Sequence, residues 1–345
     1  MKNYYSIPCF WDINEVREIL NFQSGSNNCI SEIYGSLPNS PLPHGRTSDS
    51  VIQITRDQAL IFRQQLQELD IKFTYLLNGP VSSKEIESSE VIVFLDWLLN
   101  KFKPDSITIT SLPLMKMVRE MDSNVGINIS TITGILNPID AKNFLSVKPR
   151  KIIPHHDVAR NFKDLSALVT FCGKNNIILE LLATESCLRR CPARDAHYLA
   201  ISKNKSDEKF HLNCNKIKLL NPENFLLANF IRPEDIRFYN KLGVRNFKIS
   251  GRSKPKGWIM DVVKAYLSES YEGNLIKLLG ISVLGYPKSW EYIYIDNESL
   301  NGFIDSFPKN NKIAEEREYC KTWLYYLQNS GKFKISEKIV EQYEN

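Results

Sequence analysis

Short apolar runs rich in β-branched residues alternate along the chain with longer amphipathic stretches. The apolar runs predict strands at residues 4–10, 29–34, 71–77, 106–110, 125–129, 151–154, 177–182 and 246–250. The amphipathic stretches between them predict helices on the connections, and 257–267 predicts a helix after the last strand. Eight such alternations are typical of an α/β fold of the TIM type, a (β/α)8 barrel. An open doubly wound sheet is less favoured, because no glycine-rich turn follows the first strand.

Two segments interrupt this alternation. Residues 185–245 form a long insertion after strand 7, and insertions of this length usually have a function. Residues 269–345 follow the barrel and are rich in tryptophan and tyrosine, which predicts a C-terminal helical extension packed on the barrel. The expected organisation is therefore a barrel over 1–268, including the insertion, and an extension over 269–345.

Composition and charge narrow the class of protein. Hydrophobic residues make up 43% of the chain and charged residues 24%, as in ordinary globular proteins. The net charge of +5 is a small excess, which permits an RNA partner without requiring one. The sequence shows neither a signal-peptide pattern nor an apolar run long enough to span a bilayer, so we expect a cytoplasmic protein without a membrane partner.

The cysteines provide the most specific chemical signal. Cys187 and Cys191 are separated by three residues, and Cys214 follows in the same insertion. Two thiolates at this spacing can reach one metal centre, and the neighbouring Arg189 and Arg190 would offset their charge. Cys187 directly follows the seventh strand, at the rim where barrel enzymes place their chemistry. The pattern predicts a thiolate-bound metal centre, either iron–sulfur or zinc, with ordinary free cysteines as the alternative.

Other polar residues follow the predicted strands and are expected at the same rim. The candidates for binding an anionic substrate are Glu32, Arg46, His155, Lys248 and Arg252. Lys248 and Arg252 close the last strand, where barrels commonly hold phosphate or carboxylate. Glu185 and His197 lie near the cysteines and are candidate proton carriers, and Arg252 is also a catalytic candidate. Capping, turn formation and surface ion pairing are the alternative roles for these residues.

Three motifs occur in a distinctive order. They are Glu-Ser-Cys-Leu-Arg-Arg-Cys-Pro-Ala-Arg at 185–194, Ile-Arg-Pro-Glu-Asp at 231–235, and Phe-Lys-Ile-Ser-Gly-Arg-Ser-Lys at 247–254. In this order they resemble the peptidase U32 (collagenase-like protease) family, and the resemblance extends over most of the chain, from about residue 30 to residue 320. It implies a barrel with a cysteine-bound [4Fe–4S] cluster.

The resemblance also implies a ligand set. Cys187, Cys191 and Cys214 match the family's cysteine motif. The iron–sulfur subgroup carries a cysteine-rich stretch near its C-terminus, and here only Cys320 stands in that region. Cys320 is therefore the leading fourth ligand, Cys9 is the second choice, and an iron without a fourth protein ligand is the third.

The function expected from this resemblance is iron–sulfur-dependent, oxygen-independent hydroxylation or a related modification. The substrate would be an RNA base, a small metabolite or a peptide. A peptidase or other hydrolase is the first alternative, although the sequence contains neither His-Glu-x-x-His nor Gly-x-Ser-x-Gly. The second alternative is a non-catalytic cluster-binding subunit, whose aromatic extension would dock on a partner subunit.

Overall fold

The barrel is closed by eight parallel strands in chain order. The structure is a computed structural model that describes residues 2–344. The strands are β1 (Tyr4–Pro8), β2 (Cys29–Gly35), β3 (Lys72–Leu77), β4 (Ser106–Ile109), β5 (Gly126–Ile129), β6 (Lys151–Ile152), β7 (Ile178–Leu182) and β8 (Asn246–Lys248). β8 pairs with β1 through Tyr4 and Asn246, which closes the cylinder. The predicted (β/α)8 class is confirmed.

Helices occupy the connections between the first seven strands. They are α1 (Ile13–Gln23), α2 (Arg56–Glu68), α3 (Ser83–Ile86), α4 (Ser89–Trp97), α5 (Leu112–Met121), α6 (Pro138–Lys142) and α7 (Phe162–Lys174). α2 begins at a capping box, in which the Thr55 hydroxyl accepts from the Gln58 N–H and the Gln58 side chain bonds back to Thr55. Its buried residues Ala59, Phe62 and Leu66 recur at helical spacing, so the helix presents one apolar stripe to the core.

The insertion between β7 and β8 is helical. It contains α8 (Arg194–Ser202), α9 (Glu208–Leu220), α10 (Glu223–Leu227) and α11 (Ile236–Lys241). After β8, α12 (Lys256–Ser268) supplies the last barrel helix. None of the helices within residues 2–344 combines the length and the apolar character that a bilayer span requires.

The extension contains more than the expected helices. Its elements are α13 (Leu275–Leu278), β9 (Ile293–Ile295), α14 (Ile313–Asn329), β10 (Phe333–Ile335) and α15 (Glu337–Glu344). β9 and β10 form a two-stranded antiparallel sheet. The sheet forms here because Ile293 and Ile295 are buried on one side while Tyr294 between them is half-buried, the alternation of a strand with one packed face.

The barrel interior is polar. The strands contribute these buried polar and charged residues: Ser6, Glu32, Thr74, Ser106, Thr108, Asn128, Lys151, Glu180 and Lys248. The alternate positions, such as Tyr5, Ile33 and Phe247, belong to the apolar core shared with the surrounding helices. Since strand side chains alternate between faces, the apolar half of each strand anchors the helices and leaves the lumen for charged groups.

Candidate active site at the barrel mouth

An ion-pair network crosses the lumen. The Lys151 ammonium on β6 lies 2.6 Å from the Glu32 carboxylate on β2 and 2.6 Å from that of Glu180 on β7. Arg150 adds a contact of 3.0 Å to the second oxygen of Glu32. Burial opposes ionisation of Glu32, but Lys151 and Arg150 bring its pKa well below its usual range. Lys151 is accordingly a charged bridge between two strands, and its pKa is raised by Glu180 and Glu32 against the effect of burial.

Two cations follow this network at the end of β8. The Lys248 ammonium lies 3.5 Å from the centre of the Tyr34 ring, and burial lowers its pKa to about 8 against the pull of Glu180. The Arg252 guanidinium donates to the Ser36 hydroxyl at 2.7 Å and to the His44 carbonyl at 2.5 Å. Among residues 2–344, neither Lys248 nor Arg252 has a carboxylate within ion-pair distance.

Arg46 completes this basic group. Burial and the positive charge of Arg46 lower the pKa of Arg252 to about 9, which leaves the guanidinium charged at neutral pH. The structure therefore brings together four of the five predicted substrate-binding residues: Glu32, Arg46, Lys248 and Arg252. Three cations without a paired carboxylate can receive an anion such as carboxylate or phosphate.

A hydrogen-bonded chain runs beside the cations. The His156 Nδ1 contacts the Glu185 carboxylate, and its Nε2 lies 2.7 Å from the Tyr198 hydroxyl. The other Glu185 oxygen accepts from the Cys187 N–H at 2.7 Å. Burial alone would raise the pKa of Glu185, but His156 and Arg194 hold it below its usual range. The chain Tyr198–His156–Glu185 can relay a proton to the barrel mouth.

The two adjacent histidines have different positions. His155 precedes a 3-10 turn and accepts from the Asp157 N–H at 3.2 Å, so it caps that turn. Burial lowers the pKa of His155 to about 4, although Asp157 opposes this. His156 is the buried member that contacts Glu185. A substrate role for His155 stays a prediction, and the neighbour that the sequence did not single out has the more central position.

The three insertion cysteines converge on two cations. Lys218 is buried one turn after Cys214 on α9, and its charge interacts with Cys187, Cys214 and Cys191. Burial raises the pKa of Cys214, and the neighbouring Cys191 adds to this effect. Arg194, at the start of α8, lies beside Cys187 and interacts with its thiol.

The surroundings of Cys187 disfavour its thiolate form. Burial raises the pKa of Cys187 above its usual range, Glu185 adds to this effect, and Arg194 and Lys218 oppose it. Cys187 is nevertheless accessible to solvent. A protonated thiol is a poor nucleophile, whereas a metal displaces the proton and takes the thiolate as a ligand.

Cys320 and Cys9, the two candidates for a fourth ligand, have different surroundings from the three insertion cysteines. Cys320 is buried in α14, and burial raises its pKa to about 12, while Arg160 opposes this effect and Glu316 adds to it. Cys9 lies at the end of β1, where its sulfur accepts from the Trp11 N–H at 3.3 Å. Both thiols belong to the apolar core. The structure thus brings together Cys187, Cys191 and Cys214 and gives Cys320 and Cys9 different partners.

The hydrogen bonding of Arg194 indicates whether these residues suit a negatively charged cluster. Its Nη2 donates to the Leu188 carbonyl at 2.7 Å. Its Nε and Nη1 are buried and have no hydrogen-bond partner in the described part of the chain. Buried hydrogen-bond donors without a partner are rare in folded proteins. The unpaired donors of Arg194 lie beside Cys187 and suit an anionic group held by the thiolates. The three cysteines, Arg194 and Lys218 therefore fit an iron–sulfur cluster with three protein ligands.

Sequence reasoning missed Lys151, Glu180, His156, Tyr198 and Lys218. Lys151 and Glu180 had a recognisable signal, because a charged residue inside a strand buried on both faces must be paired. Lys218 follows Cys214 by one helical turn, so helical periodicity could have placed the two on one face. Tyr198 had no local signal, because its partner His156 lies 42 residues earlier.

Comparisons with known proteins agree with this description. The chain is a (β/α)8-barrel protein with its candidate site at the mouth of the barrel. No family model matches its sequence. It is 28% identical over 265 residues to "Uncharacterized protease MJ1657" of Methanocaldococcus jannaschii, covering 73% of this chain and 76% of the relative.

A solved structure has the same architecture. The U32 peptidase Mk0906 superposes with a TM-score of 0.50 at 13% identity, covering 73% of this chain and 94% of that chain. This structure shares the fold of the chain, and both similarities agree with the resemblance of the motifs to the peptidase U32 family. Neither name mentions a cluster, so the iron–sulfur subgroup stays a prediction.

Proposed function

We propose that this U32-family protein is an iron–sulfur enzyme that modifies an anionic substrate at the barrel mouth. The observation that carries the proposal is the buried Arg194 guanidinium, whose Nε and Nη1 are unpaired beside Cys187. Cys187, Cys191 and Cys214 would hold the cluster, and Lys218 would supply a second compensating charge. When bound, a cluster of this kind supplies electron transfer or an open iron for substrate coordination.

The residues around the thiols have separate tasks in this proposal. Lys248 and Arg252 bind the carboxylate or phosphate of the substrate, since both are cations without a carboxylate partner. His156 accepts or donates a proton at its Nε2, and Tyr198 passes that proton toward solvent. Glu185 fixes the orientation of the imidazole and contacts the Cys187 backbone, which couples proton transfer to the cysteine loop. The substrate class is a small anionic metabolite or a nucleic-acid base next to its phosphate.

The first prediction concerns cluster content. The protein is purified anaerobically, and iron, sulfide and the visible spectrum are measured for wild type and for Cys187→Ser, Cys191→Ser and Cys214→Ser. We expect about four irons and four sulfides in the wild type and a large loss in each variant. Cys29→Ser is the matched control, since Cys29 is only half-buried and lies at the start of β2. Iron-free, colourless wild-type protein from anaerobic cells would contradict the proposal.

The same preparation tests the fourth ligand. Cys320→Ser should retain iron, because that thiol is buried in the apolar core of α14, where the charges of Arg160 and Glu316 act on it. Loss of iron in Cys320→Ser, with its fold intact by circular dichroism, would instead restore Cys320 to the ligand set.

A peptidase is the second candidate function. It is favoured by the protease and peptidase names of the two relatives and by the Glu185–His156 pair. The raised pKa of Cys187 disfavours a thiolate nucleophile, so His156 would have to activate a water molecule. Incubation of the metal-free protein with a mixed peptide library separates the two candidates. Cleavage that disappears in His156→Gln would favour the peptidase, and absence of cleavage together with bound iron would favour the first proposal.

A further inference from the structure

A second cluster of metal-binding side chains lies on the insertion. The His197 Nε2 is 3.3 Å from an Asp207 carboxylate oxygen, and the His211 Nε2 is 3.2 Å from the same oxygen. The three ligand atoms all lie within 4.8 Å of one another. Within residues 2–344, they form the one group of three histidine, cysteine or acidic side chains that meets this distance.

The spacing matches a tetrahedral ion. Zinc binds histidine nitrogen at about 2.0–2.1 Å, which places neighbouring ligand atoms of a tetrahedron roughly 3.3–3.4 Å apart. The two distances to Asp207 already lie near that value. Two imidazoles and one carboxylate suit zinc and other borderline divalent ions, whereas magnesium and calcium prefer oxygen ligands.

The histidines are oriented by their surroundings. The His197 ring stacks on Phe210, with ring centroids 4.9 Å apart, and meets the His211 ring edge-on. Burial lowers the pKa of His197, which favours the neutral ring that a metal ligand needs. The His211 side chain is 54% exposed, which gives an ion access from solvent.

The cluster joins two elements that carry the thiols. His197 lies in α8, a few residues after Cys191, and His211 lies in α9, one turn before Cys214. Asp207 lies at the junction of the two helices and is the N-cap residue of α9. An ion held by all three side chains would cross-link α8 to α9 and fix the separation of the cysteine-bearing segments.

We propose that His197, Asp207 and His211 form a divalent transition-metal site, with zinc as its natural ion, separate from the thiol site. Three protein ligands leave a fourth position for water. The proposal goes beyond the proposed function, because the ion would cross-link the insertion whether or not the thiols hold a cluster. Without an ion, the same geometry is two imidazole N–H groups donating to one carboxylate oxygen.

Cobalt(II) titration of the full-length, metal-free protein tests the site. Cobalt bound to thiolate gives an intense sulfur-to-metal charge-transfer absorption, whereas cobalt bound to nitrogen and oxygen gives only weak d–d bands. We expect one equivalent of cobalt to give d–d bands without sulfur charge transfer, in addition to any cobalt that the thiols bind, and zinc to displace it. In His211→Ala the affinity should fall by at least roughly 100-fold, because even outer-shell partners of metal ligands are worth roughly 10–100-fold.

Two further variants make the result decisive. Asp207→Asn should weaken binding in the same way, and Lys216→Ala, an exposed change on the same helix, should bind cobalt like the wild type. Iron content after anaerobic purification should be unchanged in His211→Ala, which keeps this outcome distinct from failure of the cluster proposal. The proposal is wrong if no cobalt binds with d–d bands free of sulfur charge transfer. It is also wrong if such bands survive both His211→Ala and Asp207→Asn. Either result would show that the three side chains only hydrogen-bond to one another.

Discussion

At the scale of single residues, burial decides which charges are available at neutral pH. Lys248 is surrounded by protein, so its pKa falls to about 8. Its ammonium is protonated below that value and loses its charge as the pH rises through it. A candidate anion-binding lysine near the end of β8 was predicted from sequence, but its titration range depends on burial in the folded barrel and on Glu180, which comes from another strand.

Anion affinity should therefore fall as the pH rises through about 8. Sulfate is the probe, because its charge is constant over this range, and its binding is followed by calorimetry between pH 6 and 9. Lys248→Arg should shift the fall to higher pH, since a guanidinium retains its proton. Lys142→Arg, an exposed change on α6, is the matched control. A flat pH profile for the wild type would show that Lys248 does not contact the anion.

At the scale of elements, buried ion pairs in the lumen link strands across the barrel. Lys151 on β6 reaches Glu32 on β2 and Glu180 on β7, and all three side chains are nearly inaccessible. When a buried ion pair loses one partner, the remaining charge is uncompensated. The resulting loss of stability exceeds the stability that the pair contributed. The sequence predicted the strands correctly, but β-strand alternation alone did not show that the charged face points inward.

Lys151→Met should lower the free energy of unfolding by roughly 3–5 kcal/mol, because Glu32 and Glu180 would stay buried with less compensation. Urea denaturation monitored by circular dichroism measures the change. Lys142→Met removes a lysine from the surface of α6 and should change stability little. Equal stability of the two variants would mean that the lumen carboxylates are protonated.

At the scale of the whole molecule, the extension holds the cysteine-bearing insertion. Arg189, two residues after Cys187, is fully buried and binds Glu316 of α14 through contacts of 2.5 and 2.8 Å. The Arg160 guanidinium, from the loop after β6, lies 5.2 Å from the ring of Phe303 and 4.9 Å from that of Phe307, both in the extension. The extension is therefore part of the same apolar core as the barrel.

Glu316→Gln should destabilise the protein by roughly 3–5 kcal/mol, because Arg189 would lose its buried counter-charge. We also expect weaker iron retention, since Arg189 anchors the segment between Cys187 and Cys191. Thermal unfolding and iron content are measured beside Glu318→Gln, an exposed change on the same helix. Unchanged iron content at reduced stability would show that the extension supports the fold without positioning the cysteines.

The sequence by itself determined the barrel, the order of its strands and the place of the long insertion that carries three cysteines. These features depend on local periodicity and on spacing within one segment, both of which can be read along the chain. Tertiary structure decided which histidine is buried beside Glu185, where Cys320 lies and how the lumen charges pair. Those choices depend on contacts between residues far apart in sequence, such as Lys151 and Glu32, and on burial, which changes the energy of a charge only once the chain is folded.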